Sequence, residues 1–118
     1  MSAAPVDIVG QRLETVQTFI RLLDDEMKYD EASRHITDDF NFVAVPFHHL
    51  KSKEEWLLKF PKLHQDKPDF EAVRMSDDGI TAIRNGVKKL GFFNITMKEI
   101  IDFSEDGTKI KRITAKKA

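Results

Sequence analysis

Between residues 13 and 27 the apolar positions Leu13, Val16, Phe19, Ile20, Leu23 and Met27 recur at spacings of three and four. At 3.6 residues per turn these lie on one stripe, which predicts a long helix from about Asp7 to Lys28 with that stripe facing a core. A shorter helical pattern follows in "YDEASRHI", with Asp30 as N-cap and Ala32 and Ile36 on one side, ending before Asp38 and Asp39. "FNFVAVPF", residues 40–47, is apolar on both faces and rich in β-branched and aromatic side chains, as a strand covered on both sides would be. Pro46 has no N–H to give to a ladder, so that end is expected to be an edge or a bend. In "SKEE", Ser52 can accept from the backbone three residues on while Glu55 reaches back, a capping box that opens a third helix. Trp56, Phe60 and Leu63 form its apolar face, and Pro61 should end or kink it.

From Asp69 onward the period changes to two. "FEAVRMS", "ITAIRNGVKK", "FFNITMKEIIDF" and "TKIKRITAKK", joined through turn signals such as "DDG" and "SEDG", predict a four-stranded antiparallel meander. Asn85-Gly86 fits either a hairpin turn or a bulge. Helix, helix, strand, helix and then four strands place the helices on one face of a curved sheet, an α+β arrangement. Length, with no internal repeat or linker, makes residues 1–118 one domain.

Charge narrows the partners. The 19 basic and 20 acidic side chains are spread evenly and sum to -1, which gives no field for a polyanion, so nucleic acid is not expected. The basic cluster "KIKRITAKK" reads as an edge strand whose lysines discourage edge-to-edge pairing. No Cys occurs, which excludes disulfides, thiolate catalysis and zinc-thiolate sites. No apolar run approaches the ~20 residues that span a bilayer, and "MSAAPVD" lacks a basic segment followed by an apolar run. A cytoplasmic protein with no membrane partner is the expectation. No G-x-G-x-x-G or Walker loop is present, and the adjacent His48 and His49 point to opposite faces of a strand and cannot share a metal ion. Neither cofactor nor metal is expected.

One strand position is out of keeping with its neighbours. In "FNITMKEIIDF", Glu99 shares a face with Phe93, Ile95, Met97, Ile101 and Phe103. An unpaired buried carboxylate costs several kcal/mol, so such a position calls for a partner, a protonated acid or a function.

The element order, with "DDF" leading into the first strand, "KSKEEW" starting the third helix and "IIDFSEDGTKI" closing the meander, resembles the superfamily of nuclear transport factor 2, ketosteroid isomerase and SnoaL-like cyclases. The resemblance covers nearly the whole chain. It implies a cone in which the sheet wraps the long helix, an apolar pocket at the open end, and a homodimer through the exposed sheet face, here expected to carry Phe92 and Ile100. In ketosteroid isomerases a carboxyl group four residues before the Phe of this turn is kept protonated to donate a hydrogen bond to an oxyanion; Glu99, four before Phe103, stands there. The tyrosine of that site corresponds to Phe19 in "VQTF" and the general base to Val45 in "AVP", so steroid isomerisation is not expected. Epoxide hydrolases of the fold use an Asp–Arg–Asp constellation, of which Arg74 or Arg84 with Glu99 supplies part. Dehydratases of the fold use histidines, and "FHHL" puts His48 and His49 near the pocket mouth.

Two readings follow. In the preferred one a small apolar ligand binds in the cone, with Glu99 as the acid or hydrogen-bond donor, Phe19, Phe42, Trp56, Phe60 and Met97 as wall, and Tyr29 and His48 near the entrance; catalysis is left open. In the other, large side chains fill the cone and the chain is a dimerisation or protein-interaction module, because the fold hosts both chemistry and plain binding.

Overall fold

The computed structural model describes residues 6–45, 48–65 and 67–118. Helix α1 (Val6–Ile20) runs into a π-helical turn, Arg21–Asp25; helix α2 (Tyr29–Ala32) runs into a 3₁₀ turn, Ser33–His35; strand β1 (Ile36–Ala44) and the short β2 (His48–Leu50) precede helix α3 (Lys53–His64). Strands β3 (Asp69–Phe70), β4 (Arg74–Met75), β5 (Thr81–Leu90), β6 (Phe93–Phe103) and β7 (Ile110–Lys117) complete one sheet of order β2-β1-β7-β6-β5-β3, with β4 also on β5. All pairings are antiparallel except β1 with β7. Register shifts between Ile36 and Asn41 and between Asp102 and Phe103 bend the strands, and the curved sheet closes over α1 and α3. Val16, Phe19, Ile36, Phe40, Trp56, Ile101 and Ile110 are fully buried between these layers. This is the expected α+β cone, open rather than closed as a barrel.

Several boundaries differ from the sequence reading, each for a local reason. The π turn buries both Leu22 and Leu23 and breaks the 3.6-residue stripe, so Met27, expected in the core, is 59% exposed. The helix ends at Met27 in the left-handed region (φ 53°), with Lys28 N–H donating to the Leu22 carbonyl at 2.8 Å, a closing geometry usually given to Gly. Helix α2 has no side-chain cap; Asp30 instead accepts through its backbone carbonyl from Ser33 Oγ, and Ile36 opens β1. Pro46 and Phe47 lie outside the described residues. Ser52 caps α3 by accepting from Glu55 N–H, while Glu55 reaches back to Lys51 N–H, one residue beyond a strict capping box. Pro61 does not end α3: the helix continues to His64, which is buried. A ring in the last turn deprives only one carbonyl of its donor, and the further turn carries His64 into a hydrogen-bonded position.

The first meander strand is in two pieces, β3 and β4, both on β5. Asn85-Gly86 is neither hairpin nor bulge, since β5 pairs with β6 without a break from Thr81↔Asp102 to Leu90↔Phe93. Gly86 serves close approach instead: a Cβ there would meet Phe70 Cδ1 at 2.6 Å, so only glycine lets the Phe70 ring lie across the strand. Strand β7 is not an edge; it lies between β1 and β6.

The turns before β5 and β7 are built alike. In Ser76–Gly79 and Ser104–Gly107 the serine hydroxyl donates to the aspartate two residues on (2.7 and 2.8 Å), and the serine backbone N–H donates across the turn, to Thr81 and Lys109 carbonyls. Helix α1 holds both glycine carbonyls: Arg12 Nη1 donates to Gly79 O and Thr15 Oγ1 to Gly107 O, each at 2.8 Å.

Candidate functional site

The inside of the cone is filled with rings. Trp56 stacks on Phe60 with centroids 5.0 Å apart, Phe42 meets Phe60 edge-on at 5.1 Å, and Phe19 and Phe40 pack on Trp56 at 5.9 and 6.2 Å. What is left is a cavity of about 10 Å³, bounded by these rings except Phe40, by Ile20, Leu23, Ile101 and Ile113, and by Arg84 and Glu99. That volume admits about one water molecule.

Arg84 and Glu99 face each other across β5 and β6, and each alternates inward with apolar neighbours. Arg84 Nε donates to Glu99 Oε1 at 2.6 Å and Arg84 Nη1 to Asp24 Oδ2 at 2.9 Å. Asp24 Oδ1 is 2.7 Å from His64 Nε2, and His64 Nδ1 is 2.8 Å from the Tyr29 hydroxyl. With Asp24 ionised, Nε2 carries the hydrogen, and in the neutral ring Nδ1 accepts from Tyr29. The result is a chain Tyr29–His64–Asp24–Arg84–Glu99 from the α2 end of the molecule into the cavity wall. The Arg84 guanidinium also lies 3.7 Å over the Phe70 ring, the contact for which Gly86 makes room.

The charges hold one another. Burial pushes the Asp24 carboxyl up, but the hydrogen bond from His64 and the nearby Arg84 outweigh it and bring it from 3.8 to about 2. Burial pulls Arg84 down, yet Glu99 and then Asp24 more than compensate and raise it above its ordinary value. Tyr29 is held up by burial and by the negative charge of Asp24, so the phenol stays a donor.

Of the residues singled out from the sequence, Glu99, Phe19, Phe42, Trp56 and Phe60 come together around the cavity. Tyr29 does not line the cavity but packs edge-on against Trp56 and Phe60, with centroids 6.4 Å away in each case, bonds His64, and borders a separate open groove with Met27, Lys28 and Pro61. Met97 is half-buried on β6 beyond the cavity, and His48 is exposed on β2. Its neighbour His49 bonds Asn41 Oδ1 at 2.7 Å. Arg84, not Arg74, is the partner of Glu99. Asp24 and His64 were missed. His64 continues the Trp56–Phe60 spacing by four residues and was legible as a polar end to that stripe; nothing in the sequence marks the π turn that accompanies Asp24. Trp56 Nε1 is buried without a hydrogen-bond partner among the described residues. Among these residues no group of His, Asp and Glu is arranged to hold a metal ion.

No protein-family model and no curated protein matches the chain. Solved structures do. A steroid delta-isomerase from Pseudomonas aeruginosa superposes with a TM-score of 0.73 at 15% identity, covering 92% of this chain and 80% of its own. An NTF2-like protein from Cytophaga hutchinsonii gives 0.67 at 16% identity, with 91% and 89% covered. A protein assigned to the SnoaL-like polyketide cyclases, from Shewanella denitrificans, gives 0.68 at 11% identity, with 91% and 90% covered. At such identities the likeness is one of fold, and the fold is the cone of the nuclear transport factor 2-like, SnoaL-like and ketosteroid isomerase-like proteins.

Proposed function

We propose that this chain is a non-catalytic interaction module whose cone is a packed core, and that it pairs with a second copy through the outer face of its sheet. The observation that carries this reading is that the cavity inside the cone holds only about 10 Å³, far below the ~300 Å³ at which small-molecule pockets begin, the groove of about 410 Å³ beside Tyr29 being an open one outside it. The polar groups agree with it. Glu99 is engaged by the Arg84 guanidinium at 2.6 Å, and the positions that the resemblance gives to the isomerase's tyrosine and base hold Phe19 and Val45. On the outer face, Val43, Thr114, Ile100 and Ile83 are register neighbours across β1, β7, β6 and β5, a row of three aliphatic side chains and one threonine suited to covering by its own copy. Phe92, expected on this face, stands instead at the β5–β6 turn.

One observation favours the ligand reading as a second: the buried Trp56 N–H has no partner among the described residues, and leaving a donor unpaired costs about 1–3 kcal/mol, which a ligand acceptor reaching that N–H would offset. Glu99 and Arg84 would then be the polar end of the site. Trp56 is the sole tryptophan, so titration of its fluorescence with a panel of small apolar carbonyl and ring compounds tests both. No saturable change is expected; a saturable change that Glu99→Gln abolishes would replace the first reading with the second.

A further inference from the structure

The β5–β6 hairpin runs beyond its neighbours. Strand β3 last pairs at Val87 and β7 at Met97, with Ala118 N–H on the Thr96 carbonyl, so among the described residues no third strand pairs with residues 88–95. Three residue pairs and a turn project roughly 10 Å from the body. Gly91 takes a positive φ of 64° while Phe92 does not, so the turn is closed by glycine at its first central position. Turns of this kind ordinarily carry polar residues, whereas here Phe92 is 102% and Phe93 55% exposed, with Leu90 and Val87 also exposed. The two rings meet edge-on, with centroids 6.3 Å apart. An isolated two-stranded arm gains nothing in stability from bare rings.

The base of the arm is basic. Lys98 stands directly opposite Lys116 in register, with Lys117 beside it and the exposed Lys89 nearer the tip. Like charges placed opposite each other are unfavourable, and here Asn85, not an acid, lies on the other side of Lys98. Asp69, opposite Val87, and Glu71, whose N–H donates to the Asn85 carbonyl, lie on the far flank of β5. A bare aromatic tip over a ring of lysines has the complementarity of a bilayer surface, where the rings enter the acyl boundary and the ammonium groups meet anionic headgroups.

We infer that this arm docks the protein on an anionic lipid surface. The contact is peripheral, since no helix among the described residues is long and apolar enough to cross a membrane. It does not depend on whether the cone takes a ligand, because no arm residue lines the cavity.

Vesicles of phosphatidylcholine with roughly one-third phosphatidylserine are the probe, against phosphatidylcholine alone. The chain is expected to co-sediment with the anionic vesicles, to be released by added salt, and to bind about tenfold more weakly as Phe92→Ser and as Lys98→Glu/Lys116→Glu. Failure to bind, equal binding to the neutral vesicles, or a Phe92→Ser protein that binds like the parent overturns the inference. Self-association in solution that Phe92→Ser abolishes assigns the tip to a second copy and overturns it as well, whereas pairing through the outer sheet face is insensitive to that change.

Discussion

The two ends of the sheet are finished in opposite ways. At one end the Ser76–Gly79 and Ser104–Gly107 turns bond within themselves, and Arg12 and Thr15 of α1 take the carbonyls of Gly79 and Gly107. At the other, the turn at Gly91 and Phe92 presents a fully exposed Phe92 ring and a half-exposed Phe93 ring. A turn whose polar groups are met by the protein is part of the fold's stability; one whose apolar groups are left over is a surface. Between them lies Arg84, midway along β5, joined to both Glu99 and Asp24.

Loss of that centre should have the largest effect on stability. Arg84→Met leaves two carboxylates in a poorly hydrated interior, and unpairing a buried ion of this kind costs about 3–5 kcal/mol, a large part of a small domain's stability. The urea midpoint should fall steeply, and Arg84→Met/Glu99→Met should recover part of the loss. If Arg84→Met costs less than about 1 kcal/mol, water reaches the site and the sealed-core description fails.

Acid acts on the same centre more gently. Asp24 has an ordinary value of 3.8 and a folded value of about 2, so the stability it confers is complete above pH 4 and disappears as pH falls toward 2. Its side chain is only 15% exposed, and the shift corresponds to about 2 kcal/mol. Denaturant midpoints between pH 5 and pH 2 measure it, and Asp24→Asn should flatten that part of the profile.

How far the sequence could be read follows the same geography. Periodicity marked α1, α3, β5, β6 and β7 because each buries one face of a regular element; Glu99 was visible because a strand alternates and one inward position was charged. The chain of groups reaching it was only half visible. His64 lies on the Trp56–Phe60 spacing, but Asp24 lies within the π turn, and a one-residue shift in helical register leaves no mark in composition. The parallel pairing of β1 with β7 joins residues some seventy apart, so local pattern took β7 for an edge and its lysines for edge protection. Nor could periodicity reveal that the cone is full, because cavity volume depends on how Trp56, Phe60 and Phe42 nest together, not on which face each occupies.

Two glycines sharpen the contrast between the ends. Gly107 and Gly91 both have positive φ, 72° and 64°, so alanine at either carries a left-handed penalty of about 1 kcal/mol. At Gly107 the new Cβ would also meet Arg12 Cγ at 3.1 Å, whereas at Gly91 nothing lies within 4 Å. Gly107→Ala should therefore cost about 2 kcal/mol and Gly91→Ala about half of that. Equal losses would mean that the grip of α1 on its turn adds nothing beyond backbone strain.

The smallest expected effect separates fold from surface most cleanly. Phe92 is fully exposed and its ring buries almost nothing against the body, so Phe92→Ser should leave the unfolding midpoint within about 0.5 kcal/mol of the parent. A loss above 1 kcal/mol would show that the rings at the tip hold the arm together, and the left-over apolar surface would then have a structural explanation. An unchanged midpoint leaves Phe92 without a task inside the molecule. Its task must then lie outside, on whatever the arm touches, and the same variant is the one that should lose the lipid surface.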